Sequence, residues 1–195
     1  MTTPSSSTAS EPLTQTQSQT KSKPNKATKK HPPLLIPERV KFIKKSDSKK
    51  RVFEILSELL TSGQKNVSKN EVFDALIARE KLGNTVLNNG TAVPRASIHI
   101  TRPRVALVFL KKGIPLDSPD RKPTRLFLAF LLPEKELEKY AKVLKKINFT
   151  LAKQSIIEDI SEHKNPQILI DFFEDIFSSE LQTQPDQTKP EKVSS

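Results

Sequence analysis

Residues 79–95 read REKLGNTVLNNGTAVPR, and this stretch divides the chain into two differently patterned parts. Before it, apolar residues recur at the spacing of amphipathic helices. After it, they form short continuous runs of strand-forming residues before helical spacing returns. Helices, then strands, then helices in one chain of 195 residues indicate an α/β or α+β fold, with a β-sheet covered by helices. Continuous apolar strands also indicate that both faces of the sheet are buried.

Polar residues mark the ends of the helices that precede this stretch. Ser48 is predicted to cap a helix that runs to about Thr61, and Gly63 ends it. Ser68 and Glu71 have the spacing of a capping box at the start of a second helix. The sequence therefore predicts two consecutive helices ahead of the loop.

Two strands and two further helices are predicted after it. Val105–Leu110 and Leu126–Leu132 are the apolar strand runs, and prolines bound the second. Helical spacing spans Leu137–Ile147. A last helix is predicted to begin near Asn165, where a capping residue precedes a proline.

The two ends of the chain differ in composition from the middle. Residues 1–33 are mostly Ser, Thr, Gln, Pro and Lys and are predicted to form a disordered basic tail, and residues 182–195 a second disordered tail. The domain is then expected to span residues 34–181. The N-terminal segment lacks the apolar region of a secretory signal, so a cytoplasmic protein is expected.

Composition limits the chemistry that the chain can perform. Without cysteine there are no disulfides and no thiolate nucleophiles, and the three histidines, His31, His99 and His163, are too scattered to predict a metal site. No cofactor is predicted. The formal net charge of +11 favours a polyanionic partner, either nucleic acid or an acidic protein face.

The opening stretch resembles the active-site signature of type-2 enzyme IIA domains of the bacterial phosphotransferase system, the fructose, mannitol and nitrogen-regulatory class. That signature runs Arg-Glu-x-x-Gly-Ser-Thr-Gly-x-Gly-x-Gly-x-Ala-x-Pro-His, and the positions that match are Arg79, Glu80, Gly83, Thr85, Gly90, Ala92 and Pro94. The similarity continues in unbroken order from about Leu34 to Phe173. It implies a mixed β-sheet flanked by helices.

The positions that depart from that signature are positions that the family uses for phosphoryl transfer. There, the histidine after the proline accepts a phosphoryl group from the phosphocarrier HPr, but this chain has Arg95, a protonated guanidinium without a nucleophilic lone pair. A second family histidine aligns with Tyr140. Two loop glycines are replaced by Val86 and Asn88, and the family serine by Asn84. Independent drift in a working enzyme is the competing interpretation, and loss of the nucleophile argues against it.

The resemblance therefore implies a phosphorylation-incompetent relative of the nitrogen-regulatory enzyme IIA, a regulatory protein that binds a protein partner. An HPr-like phosphocarrier is one candidate partner. The expected binding surface consists of Arg79, Asn84, Thr85, Asn89, Gly90 and Arg95.

Two other functions stay open at this point. His99, four residues beyond the family position, could be a displaced acceptor in an active phosphocarrier. Alternatively, the chain could be a basic nucleic-acid-associated protein on a borrowed scaffold, although 6% aromatic residues and no tryptophan offer little surface for base stacking. The basic residues that could form a positive patch, or could simply be solvated, are Arg79, Lys81, Arg95, Arg102 and Arg104.

Overall fold

A mixed β-sheet forms the centre of the fold in this computed structural model, which describes residues 32–153, 157–158 and 165–182. The strands are β1 (Val40–Lys45), β2 (Thr91–Ala92), β3 (Arg95–Ile98), β4 (Arg104–Ile114) and β5 (Thr124–Pro133). The helices are α1 (Lys49–Thr61), α2 (Lys69–Lys81), α3 (Leu137–Lys153) and α4 (Pro166–Gln182), with 3-10 turns at Pro37–Arg39 and Glu134–Glu136. The fold class predicted from the sequence is confirmed.

The long antiparallel pair β4–β5 occupies the middle of the sheet. β1 lies parallel to β4, whereas β2 and β3 both lie parallel to β5. The two predicted apolar runs are the inner parts of β4 and β5. The observed strands are longer because backbone pairing continues beyond the predicted apolar runs, as it does between Ile114 and Thr124. β1, β2 and β3 were not predicted from the sequence.

Helices cover both faces of the sheet, as the continuous apolar strands predicted. Alternate residues of β5 enter different cores: Phe127 packs with α1 and α2, whereas Leu128 packs with α3 and α4. Since side chains alternate across a strand, one apolar run supplies both cores. None of the helices in the described ranges is long and apolar enough to cross a membrane.

The predicted helix starts are confirmed by hydrogen bonds. The Ser48 Oγ accepts from the Arg51 backbone N–H at 3.2 Å, and the Ser68 Oγ accepts from the Glu71 N–H at 3.0 Å. The Asn165 Oδ1 accepts from the N–H two residues later at 2.9 Å, at the start of α4. These polar side chains satisfy donors that the first helical turn leaves free.

The predicted tails fall almost wholly outside the described residues. Within 1–33, the structure describes Pro32 and Pro33, and within 182–195 it describes Gln182 as the end of α4. His31 and His163 also lie outside the described residues. The prediction that 34–181 forms the domain, bounded by disordered tails, stays a prediction.

A buried carboxylate joins the two ends of the described fold. Glu174 on α4 is fully buried, and its Oε1 accepts hydrogen bonds from the backbone N–H groups of Leu34 at 2.7 Å and Leu35 at 2.9 Å. Buried backbone donors need partners, and a charged acceptor forms strong hydrogen bonds with them. Glu174 therefore holds the start of the fold against its last helix.

We expect Glu174→Ala to lower the free energy of unfolding by about 2–4 kcal/mol, because two buried donors lose their acceptor. Urea denaturation would measure this change. The matched control is Asp175→Ala, at the exposed neighbouring position, which should change the stability by less than about 0.5 kcal/mol. Equal effects of the two substitutions would contradict the anchoring role of Glu174.

Candidate functional site

The loop between α2 and β3 folds back on itself. The Val93 N–H donates to the Thr85 carbonyl at 2.9 Å, the Leu87 N–H donates to the Thr91 carbonyl at 2.8 Å, and Val86 forms an isolated antiparallel bridge with Ala92. Val86 is buried and belongs to the core beneath α1 and α2. Val86 therefore fills space in an extended segment, where a β-branched side chain is favourable.

An ion-pair network lies where α2 meets this loop. The Glu80 carboxylate, with only 9% of its side chain exposed, accepts from the Thr85 Oγ1 at 2.5 Å and from the Thr85 N–H at 3.4 Å. Its Oε1 also pairs with the Lys49 ammonium group. Thr85 itself is buried. These contacts anchor the loop to the helices, so Glu80 and Thr85 have structural roles here.

Arg95, the first residue of β3, lies beside this network. Burial lowers the pKa of its guanidinium, the positive charge of Arg79 lowers it further, and the charge of Glu80 opposes the change. Arg79 donates to the Gly83 carbonyl at 3.2 Å. A guanidinium shifted in this direction still carries its proton near neutral pH. The arrangement thus places the cationic groups of Arg79 and Arg95 near each other beside the loop.

Asn84 is exposed and connects the loop to a neighbouring turn. Its Nδ2 donates to the Asp117 carbonyl at 2.8 Å, and its Oδ1 accepts from the Val86 N–H at 3.1 Å. Together with Glu80 and Asp117 it lines a shallow cleft of about 450 Å³. Both ends of its amide group are therefore already engaged within the protein.

The far end of the loop is a tight turn. Asn89 has a left-handed backbone, with φ of 57°, its N–H donates to the Asp120 carboxylate at 2.8 Å, and its Nδ2 donates to the Ala152 carbonyl at 2.8 Å. Gly90 is buried with φ of 64°, and an added Cβ would lie 2.8 Å from the Pro123 carbonyl oxygen. Among the predicted binding residues, Asn89 and Gly90 shape the loop, whereas Arg79, Asn84 and Arg95 reach the surface.

Tyr140, which the sequence resemblance predicts to align with a second family histidine, is buried in the first turns of α3. Burial and the neighbouring Glu136 carboxylate, to which the hydroxyl hydrogen-bonds, raise the pKa of Tyr140 to about 12. It lines a second cleft that includes Arg102 and Arg104. The predicted positive patch is therefore divided, with Arg79, Lys81 and Arg95 around the loop and Arg102 and Arg104 near Tyr140.

His99 lies in an exposed bend directly after β3. Within the described ranges, the structure contains no cluster of three His, Cys, Asp or Glu residues placed to hold a metal ion. One exposed residue of the site was missed from the sequence: Leu82, at the end of α2, is 84% exposed. Its position outside the apolar face of α2 was the available signal.

We expect Gly90→Ala to destabilise the protein more than Gly63→Ala. Both glycines have a left-handed backbone, so alanine strains either position by about 1–2 kcal/mol. At Gly63 a Cβ meets nothing within 4 Å, whereas at Gly90 it would collide with Pro123 and Ile157. Denaturation should show about 1–3 kcal/mol more loss at Gly90. Equal losses would mean that the loop relaxes without resisting the added methyl group.

Comparisons with known proteins agree with this architecture. The family model described as "Phosphoenolpyruvate-dependent sugar phosphotransferase system, EIIA 2" matches residues 34–176. A nitrogen regulatory protein homolog of Haemophilus influenzae is 34% identical over 146 residues, which cover 72% of this chain and 88% of the relative. The crystal structure of the nitrogen regulatory protein IIA-Ntr from Neisseria meningitidis has a TM-score of 0.66 at 28% identity, covering 72% of this chain and 96% of that one.

The mannitol enzyme IIA of Escherichia coli, solved by NMR in complex with phosphorylated mannitol enzyme IIB, shares the fold. Its TM-score is 0.58 at 20% identity, over 71% of this chain and 96% of that one. The family model covers most of the chain, and the relatives that align with it include nitrogen regulatory proteins. The chain therefore belongs to the type-2 EIIA family of the phosphoenolpyruvate-dependent sugar phosphotransferase system.

Proposed function

We propose that this protein is a nitrogen-regulatory type of enzyme IIA that does not accept a phosphoryl group and that acts by binding a protein partner. The proposal rests on Arg95, which the sequence resemblance predicts to align with the family acceptor histidine, and which lies near Arg79 and Glu80. Phosphoryl acceptance by the family route needs a ring nitrogen with a free lone pair. A protonated guanidinium has none.

The hydrogen bonds of the loop support the same conclusion. A phosphoryl group at a loop is normally stabilised by free backbone N–H groups. Here the Val86 N–H donates to the Asn84 Oδ1 and the Asn89 N–H donates to the Asp120 carboxylate. Because these donors are occupied by side chains of the protein, the loop is stable without a phosphoryl group. The proposed protein thus stays permanently in an unphosphorylated state.

The end of α2 and the start of the loop have features that suit a protein partner. Leu82 is 84% exposed, and Arg79, Lys81 and Asn84 are close to it in the sequence. An exposed aliphatic side chain with cationic residues close to it in the chain suits an apolar spot with an acidic rim on another protein. The mannitol enzyme IIA of Escherichia coli uses the same fold in a complex with another protein, phosphorylated enzyme IIB. An HPr-like phosphocarrier is the first partner to test.

Phosphotransfer from HPr carrying a labelled phosphohistidine tests the first half of the proposal. We expect no label on the wild-type chain, with an active nitrogen-regulatory enzyme IIA as the positive control. Arg95→His alone should transfer at least about 100-fold more slowly than that control, because small misplacements of a nucleophile reduce rates by such factors. Label on the wild type that disappears in His99→Ala would identify a displaced acceptor and overturn the proposal.

Binding of unphosphorylated HPr to the isotopically labelled chain tests the second half. We expect amide shifts at Leu82–Asn84 and Arg95, and about tenfold weaker binding for Leu82→Ser. The matched control is Ile168→Ser, an aliphatic residue on α4 that is 53% exposed, and it should bind normally. If HPr does not bind and a pull-down with the wild type recovers no protein partner, the binding role is wrong.

A further inference from the structure

A second cleft lies apart from the Arg95 loop and has a volume of about 550 Å³. Its walls come from four places in the chain: the segment from Pro32 to Arg39, Gln64 after α1, the loop Ile100–Arg104, and the segment Glu136–Tyr140 at the start of α3. Clefts of this size fall in the range that binds small organic molecules. The proposed protein-binding function does not use it.

Two arginines of the cleft have buried nitrogen atoms that find no hydrogen-bond partner among the described residues. Arg39 is only 7% exposed, and its Nε and Nη1 are buried without a hydrogen-bond partner in the described part of the chain. The Nε of Arg104 is also buried without a hydrogen-bond partner among the described residues, although the Nη2 of the same side chain donates to the Ser62 carbonyl. Buried donors are satisfied in nearly all native proteins, so several unsatisfied ones in one cleft call for a ligand.

The charges around the cleft also favour an anionic ligand. Burial lowers the pKa of Arg39 to about 10, and the next cause is repulsion by Arg104; Glu38 and Glu174 oppose these effects less strongly. The walls carry four basic side chains against one acidic side chain, which are Arg39, Arg102, Arg104 and Lys139 against Glu136. That one carboxylate is hydrogen-bonded by the Tyr140 hydroxyl. An anion would relieve the repulsion between the two arginines.

We propose that this cleft binds a small organic anion through a phosphate or carboxylate group, with Arg39 and Arg104 as the residues that bind the group. Guanidinium groups present paired N–H donors that match the oxygen atoms of either group. The volume exceeds that of a single oxyanion, so the ligand has a body that packs on the apolar wall formed by Pro33, Leu34 and Pro103. Regulation by a metabolite would follow from such a site.

Titration of the full chain with inorganic phosphate, glycerol phosphate and succinate tests this proposal and separates phosphate from carboxylate recognition. Sodium chloride at matched ionic strength controls for screening. We expect at least one of the three anions to raise the melting temperature and to shift the backbone amide signals of Ile100–Arg104. If none of them changes either signal beyond the effect of chloride, the proposal is wrong.

Substitutions locate the binding. Arg39→Met should weaken binding by about tenfold or more. The melting temperature of the unliganded protein should be unchanged or higher, because the substitution removes a buried cation whose Nε and Nη1 have no hydrogen-bond partner among the described residues. Arg104→Gln provides a second test if Arg39→Met does not fold. Arg95→Met is the matched control and should bind the anion as well as the wild type does.

The opposite pattern would overturn the proposal. If Arg95→Met loses binding and Arg39→Met keeps it, the anion binds at the loop instead. If neither substitution matters, the binding is not specific to either arginine. The phosphotransfer experiment does not depend on these outcomes, so the failure of one proposal can be told apart from the failure of the other.

Discussion

The pairing of β4 with β5 is the interaction on which the rest of the structure depends. β5 is almost wholly buried, β4 is buried from Val105 to Leu110, and each of the other described strands pairs with one of them. The loop that carries the site is also attached to β5, since the Leu126 N–H donates to the Gly90 carbonyl at 3.1 Å and the Phe130 N–H donates to the Pro94 carbonyl at 2.9 Å. Arg95 therefore has a defined position, because β5 holds the segment that precedes it at Gly90 and at Pro94.

Local patterns predicted the elements whose causes are local. Ser48, Ser68 and Asn165 cap helices through contacts within two or three residues, which a sequence displays directly. β2 has only two residues, and β1 mixes lysines with apolar residues, so neither has a strand pattern of its own. These strands exist because a buried neighbour offers hydrogen bonds to their backbones. Such tertiary causes do not appear in local composition.

The site, too, has features that the sequence predicts and features that only the structure shows. Alignment with the family signature identified the positions, but it could not show that Thr85 and Gly90 are buried or that Val86 fills the core. Likewise, the local sequence does not distinguish Arg39 and Glu174 from other charged residues. Their importance arises from burial and from contacts across about 140 residues, as between Glu174 and Leu34. Composition alone cannot predict a contact between residues so far apart in the chain.

The two arginine pairs show how one kind of residue acquires different properties. Arg79 and Arg95 lie beside the Glu80 carboxylate, and Arg79 has a carbonyl partner, so this pair is partly compensated. Arg39 and Arg104 are more weakly compensated and keep buried donors without partners in the described residues. The surroundings of each pair, and not its formal charge, determine whether its donors are used within the fold or remain able to bind another molecule.

The Glu174 anchor has a consequence for how this fold can be arranged within larger chains. Leu34, near the start of the fold, lies against Glu174, and α4 ends eight residues later at Gln182, about 12 Å farther along the helix axis. A domain whose ends are this close can be inserted into, or fused with, another polypeptide without separating its layers.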